Sequence, residues 1–334
     1  MNLYKAFLSM VLIGMAFGED IKMDEETNKG PEEIVNGKTL SVADRANRPW
    51  LVNVGWYDPD TGAENFACGG SVISPSAILL AAHCIRDSRD GTWFPPLWID
   101  FFRYNKRHAV GTNGIVRTHL NIGDCVHHEG YQAWVDDDFS EDVAVCILPM
   151  PAPAGVTPIT LNANPNVPAS TGVPLDVAGW GLQREDNHDA PDPREEVPTN
   201  VPRVTTLDYN TPFDCPVATA ATEMCTVTPA GSRLTATCHG DSGGPIVLGN
   251  GGPDGGMQTP VLQVGIVSHH GNPNNCLSRQ GNIAIRTSAM LPWITNTVCV
   301  RTGFREMCPA LPPPPPPPPV ASKSSKNAKR MLRN

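Results

Sequence analysis

The chain has 334 residues, ten of them cysteine, and 34 Asp and Glu against 25 Lys and Arg give it a formal net charge of −9. An acidic surface repels a phosphate backbone, so the main body of the chain is not expected to bind nucleic acid. Beyond one short N-terminal run, no stretch is long and apolar enough to span a bilayer as a helix.

Residues 1–18 read as a secretory leader. Lys5 supplies the positive start, 6–17 is a short apolar run, and Ala16-Phe17-Gly18 places small residues where a signal peptidase reads. The alternative, an uncleaved anchor, needs a longer span. Residues 19–33 are acidic, carry almost nothing to bury, and should be flexible. They end at Glu33, directly before Ile34-Val35-Asn36-Gly37.

From Ile34 the composition is that of an all-β domain, expected to run over 34–308. Short runs rich in Val, Ile and Thr are broken by Gly, Pro and Asn, at 51–56, 70–73, 115–120, 143–148, 201–207 and 261–268. No segment has a helical period until Ser288, which is placed to cap a helix through Met290, Leu291, Trp293 and Ile294.

Three chemical signals lie on this framework. Leu79-Leu80-Ala81-Ala82-His83-Cys84 sets a histidine at the end of an apolar run; alone, such a residue is more often structural. Asp142 precedes the apolar run Val143-Ala144-Val145-Cys146, where a turn or capping role is the ordinary reading. Asp136, Asp137 and Asp138 are weaker candidates, since no apolar strand follows them. Cys238-His239-Gly240-Asp241-Ser242-Gly243-Gly244 is a glycine-rich turn. Such a turn can aim the Gly240 and Ser242 N–H groups at one point, where they would hold a developing oxyanion. Ser242 is then a candidate nucleophile, and a serine hydroxyl needs a base.

Other segments are less specific. Residues 103–114 hold basic residues and no carboxylate, so no calcium site is expected there. The pairs His127-His128 and His269-His270 suggest metal, but neighbours on a strand face opposite ways. No two cysteines have the close spacing of a zinc site, and no metal or cofactor is expected. An even cysteine count behind a leader implies disulfides, although sequence alone leaves their pairing open. Cys125 and Cys146 lie in successive strand-like runs, which makes a cross-strand bridge plausible. Residues 184–203, rich in Asp, Glu and Pro, read as an exposed, protease-sensitive loop. The proline run 312–319 reads as a stiff rod, and basic residues follow it. A solvated, disordered tail over 309–334 is favoured over a spacer that touches an anionic surface.

The order His83, Asp142, Ser242, with Gly179-Trp180-Gly181 and Gly265-Ile266-Val267-Ser268, resembles the chymotrypsin family of secreted serine endopeptidases over roughly 34–299. The resemblance implies two packed antiparallel β-barrels with a C-terminal helix, and a catalytic triad of His83, Asp142 and Ser242. It implies an oxyanion hole from the N–H groups of Gly240 and Ser242, and activity at neutral to mildly alkaline pH. Ile34 matches the N-terminus freed on zymogen cleavage, whose amine pairs with Asp241. The residue before that cut is Glu33, where a trypsin-like activator would not cleave. The implied bridges are Cys68–Cys84, Cys238–Cys276 and Cys215–Cys225, which with Cys125–Cys146 leave Cys299–Cys308. Ser268 would run beside substrate and help hold Asp142. The pocket for the residue before the cut would be lined by Ala236, Thr237, Ser268 and His270, with its remaining walls from 268–271 and 281–282.

Ala236 stands where the trypsin branch has an aspartate, so cleavage after Lys or Arg is expected to be poor. A neutral, small to medium apolar residue is favoured; a carboxylate held by His270 and Thr237 is the alternative. Partners would be protein and peptide substrates and macromolecular protease inhibitors, with the enzyme a monomer. A non-catalytic binding or adhesion protein on the same scaffold is the rival, since fold does not fix function.

Overall fold

The computed structural model describes residues 34, 37–94, 96–136, 138–183, 197–198, 200–211, 215, 221–249, 261–270, 276, 281–303 and 305–308. The expected leader, acidic segment, proline-rich tail and most of the 184–203 loop lie outside these residues.

A short strand, β1 (Lys38–Thr39), and a one-turn helix, α1 (Val42–Ala46), open the domain. Ser41 caps the helix by accepting from the Asp44 N–H at 3.0 Å. The first sheet comprises β2 (Leu51–Tyr57), β3 (Glu64–Ser74), β4 (Ala77–Leu80), β5 (Leu97–Phe101), β6 (Val116–Leu120), β7 (Cys125–His127) and β8 (Ala144–Ile147), in the order β6-β5-β2-β3-β4-β8-β7. A helical turn, α2 (Ala133–Asp136), bridges β7 and β8.

The second sheet contains β9 (Thr160–Leu161) and β10 (Pro174–Gly179). A separate pair, β11 (Leu182–Gln183) and β12 (Val197–Pro198), precedes its later strands. These are β13 (Arg203–Asn210), β14 (Glu223–Val227), β15 (Pro245–Leu248), β16 (Leu262–His270) and β17 (Asn282–Arg286). The order β13-β10-β15-β16-β17-β14 returns to β13 through a β13–β14 pairing, so this sheet closes on itself. A closed sheet leaves fewer strand edges unpaired. The architecture is two curled antiparallel barrels, with β9 joining β16 in parallel as an exception.

The patterns follow from burial. Strand β4, Ala-Ile-Leu-Leu, is enclosed on both faces, and an unbroken apolar run is what such a strand requires. On β13, Thr206, Asp208 and Asn210 are only half-buried while Leu207 and Tyr209 are buried, the period-2 pattern of a strand with one face on the core. Leu207 and Tyr209 pack with Leu175, Val177, Ile246 and Val264 inside the second barrel.

The C-terminal helix, α3 (Thr287–Arg301), lays Met290, Ile294 and Val298 at successive i, i+4 positions onto the larger core, which also contains Leu79 and Val145. It begins one residue before the cap expected at Ser288. The N-cap is Arg286, the last residue of β17, so the strand's exit fixes the helix start, and Ser288 lies inside the helix with its hydroxyl unpartnered among the described residues.

Disulfides join Cys68 to Cys84, Cys125 to Cys146, Cys215 to Cys225, Cys238 to Cys276 and Cys299 to Cys308. Cys125 and Cys146 are direct register partners on β7 and β8. Among the described residues, no helix is long and apolar enough to cross a membrane.

Candidate active site

Strand β4 carries the chain out of the core to His83. Ala81 and Ala82 are fully buried, and a single 3-10 turn over Ala82–Cys84 leaves the imidazole 21% exposed at the barrel surface. The Cys68–Cys84 bridge ties this turn to β3. Asp142, at the entry to β8, is wholly buried. Its Oδ2 accepts from His83 Nδ1 at 2.6 Å and from the Ser268 hydroxyl at 2.6 Å, and its Oδ1 accepts from the His83 N–H at 2.8 Å.

Burial opposes the charge on Asp142, but the His83 charge and these hydrogen bonds outweigh it and hold the carboxyl below its ordinary range. Burial likewise works against the imidazolium of His83, and the Asp142 charge and hydrogen bond override it to raise that pKa. With Nδ1 committed to Asp142, the other ring nitrogen is the one left to exchange a proton.

The turn ahead of β15 is set by hydrogen bonds. The Asp241 N–H donates to the Cys238 carbonyl at 2.9 Å and the Gly244 N–H to the Asp241 carbonyl at 3.0 Å. Gly240 has φ +97 and Gly243 φ +76, conformations an L side chain resists. A Cβ on Gly243 would also stand 2.6 Å from the Gly69 carbonyl. The turn is stitched to the first barrel, because the Gly69 N–H donates to the Ser242 carbonyl at 2.8 Å. Among the described residues, the Gly240 and Ser242 N–H groups donate to no acceptor. Ser242, Gly240 and His83 line one cavity of about 380 Å³.

Asp241 points the other way and is 1% exposed. It accepts from the Gly181 N–H at 2.8 Å and the Cys238 N–H at 2.9 Å, and burial, outweighing these bonds, pushes its carboxyl up to about 6. A Cβ on Gly181 would lie 2.2 Å from the carboxylate, so glycine is required beside it. Ile34 is fully buried. A cation that the sequence does not single out lies near. Lys106 donates to the Trp180 carbonyl at 2.9 Å and interacts electrostatically with Asp241, while burial pulls its amine down to about 8. The loop holding Lys106 is organised by Arg103, whose guanidinium binds the Asn105, Lys106 and His108 carbonyls and Asp100.

The expected pocket residues Ala236 and Thr237 are buried at 2% and 1% exposure. His270 Nε2 donates to the Thr237 carbonyl at 2.9 Å, and burial above all pushes its pKa down to about 4. Ser268 is turned to Asp142 instead. Asn282 is the register partner of His270 across β16 and β17, so the two share a face. Among the described residues, the Thr237 hydroxyl and Asn282 Oδ1 are both buried without a partner. Cys68, His83 and Cys84 bring their ligand atoms together as a metal site would. Both sulfurs are in a disulfide, which leaves no thiolate to bind an ion.

Known proteins share this chain's pattern. The family model described as Trypsin matches residues 34–294. Trypsin zeta of Drosophila erecta is 26% identical over 254 residues, covering 72% of this chain and 82% of that protein. Brachyurin of Leptuca pugilator is 29% identical over 181 residues, 54% of this chain and 70% of the relative. Fibrinolytic enzyme, isozyme C, of Lumbricus rubellus is 26% identical over 256 residues, 74% and 93% of the two chains. With two curled antiparallel barrels, a C-terminal helix and a family match across most of its length, the chain belongs to the trypsin family of serine endopeptidases.

Proposed function

We propose that the protein is a secreted endopeptidase, made as an inactive precursor, that cleaves peptide bonds through Ser242, His83 and Asp142. The Ser242 hydroxyl attacks the scissile carbonyl as its proton passes to His83. The Gly240 and Ser242 N–H groups receive the oxyanion. His83 then gives the proton to the leaving amine, the C–N bond breaks, and water releases the acyl group from Ser242. The observation that carries this reading is the 2.6 Å bond between buried Asp142 and His83, beside a cavity that Ser242 also lines. Freed by cleavage after Glu33, the Ile34 amine would pair with Asp241.

A pH profile follows. His83 acts as base only when neutral, and its pKa is raised, so kcat/KM climbs with pH along a limb above the ordinary imidazole value of 6.5. Asp142→Asn removes the charge that raises it and shifts the limb to lower pH. A wild-type limb below 6.5, unmoved in the variant, contradicts the pairing.

Substrate choice follows from Ala236, Thr237, His270 and Asn282, none of which carries an anion. A lysine or arginine side chain would be buried there without a counter-charge. His270 is neutral at neutral pH, and its one ring N–H is already given to the Thr237 carbonyl, so it has no donor left for a glutamate. Neutral side chains remain, including small polar ones that satisfy the Thr237 hydroxyl and Asn282 Oδ1. In a panel of peptides differing only before the cut, Ala, Leu or Gln should exceed Arg and Lys by on the order of 10²-fold. Fast cleavage after Arg or Lys would overturn this account of the pocket, and a panel with no turnover at all would sink the endopeptidase reading.

A further inference from the structure

We propose that the cavity beside Ser242 selects the residue on the leaving side of the scissile bond, accepting a bulky aromatic or apolar side chain and rejecting a cation. The proposal rests on the endopeptidase reading above. The cavity holds about 380 Å³, within the range of ligand pockets, and is lined by His83, Gly240 and Ser242. None of Ala236, Thr237, Ser268 or His270 lines it, so it lies apart from the residues that face the acyl half of the substrate. His83 must deliver its proton to the departing amine, so the leaving chain passes on the side of the imidazole.

The walls state what fits. Trp56 and Phe94 stack with ring centroids 4.7 Å apart and planes 7° from parallel, forming one continuous apolar surface. Phe66 adds a third ring, held edge-on against Trp98 at 4.9 Å. These three rings are only half-buried, so each keeps apolar area that an incoming side chain would cover. The Cys68–Cys84 bridge supplies further apolar lining.

Charge states what does not fit. The Lys106 ammonium stands 5.3 Å from the Phe66 ring centroid, anchored on the Trp180 carbonyl at 2.9 Å. No carboxylate lines the cavity among the described residues. A lysine or arginine after the cut would meet Lys106, and then the His83 imidazolium formed during the reaction.

Capture of the acyl-enzyme by added amines reads this preference directly. In that step the amine nitrogen bonds to the acyl carbon, the bond from Ser242 Oγ breaks, and the amine proton passes through His83 to Ser242. The processed full-length chain is given a peptide ester with a neutral residue at the acyl position. Phenylalaninamide, leucinamide, glycinamide or argininamide is added, and the ratio of amide product to hydrolysis product is measured. Phenylalaninamide is expected to be captured about tenfold better than glycinamide, and argininamide about tenfold worse than phenylalaninamide. Phe66→Ala should reduce the phenylalaninamide advantage, with Phe66→Leu as a variant that preserves packing, and Lys106→Met should relieve the penalty on argininamide. Each ratio is internal to its own variant, so a partial loss of folded enzyme does not alter it. Equal capture of all four amines, or ratios unmoved by these substitutions, overturns the proposal. A chain that does not turn over the ester overturns the endopeptidase reading, and the proposal with it.

Discussion

Ser242→Ala in the processed chain is expected to lower peptide turnover about 10⁶-fold, the scale on which serine proteases depend on their nucleophile. The variant removes one oxygen and leaves the surrounding structure. The turn is held by backbone bonds from Asp241 to Cys238, from Gly244 to Asp241 and from Gly69 to Ser242, none of which uses the hydroxyl. The Gly240 and Ser242 N–H groups stay in place, and with substrate binding they should preserve a residual rate about 10³- to 10⁴-fold above water. Turnover of the variant, set against an unchanged thermal melt, separates lost chemistry from lost fold. A variant that keeps most of its rate refutes the role of Ser242.

The second large effect is at Asp241. Its carboxylate holds the Gly181 and Cys238 N–H groups, and burial penalises its charge enough to move the carboxyl to about 6. In the activation proposed above, the Ile34 amine would supply the compensating cation after cleavage. Asp241→Asn removes the anion and presents an NH₂ group where one oxygen accepted a backbone N–H. Breaking a buried ion pair by removing one partner is destabilising by about 3–5 kcal/mol. Here that loss falls on the turn bearing Gly240 and Ser242. Correctly cut Asp241→Asn should be at least about 10²-fold less active than cut wild type. N-terminal sequencing checks that the new terminus is Ile34. Normal activity in the variant, or in wild type still joined at Glu33–Ile34, contradicts activation through this pair.

The parts of the site legible in the sequence are those written in short contiguous runs. The apolar segment before His83 and the one after Asp142 are β4 and β8, neighbouring strands whose register sets Leu80 opposite Ala144. The glycines around Ser242 signalled a turn because two of them take positive φ. What the sequence hid depends on distant pairing. Lys106 meets its carbonyl partner at Trp180, 74 residues away, and nothing local marks a lysine in a basic loop as a wall of the site. The sequence already offers Asn282 as a pocket wall, but its pairing with His270 follows a register shift between Val267 and His269 that strand periodicity does not reveal. The stack of Trp56 on Phe94 joins β2 to the loop before β5. The helix start differs from the sequence expectation for a related reason: Ser288 has the chemistry of a cap, but β17 delivers the chain to the helix before reaching it.

Ser242 is proposed as a nucleophile activated by His83 and Asp142. Reaction of the processed chain with a fluorophosphonate, followed by peptide mass spectrometry, tests it most directly. One adduct is expected, on Ser242, formed at a rate that falls as His83 is protonated and by about 10⁴-fold in Asp142→Asn, the scale known for this triad. A correctly cut, folded chain that stays unlabelled, or is labelled elsewhere, would contradict it.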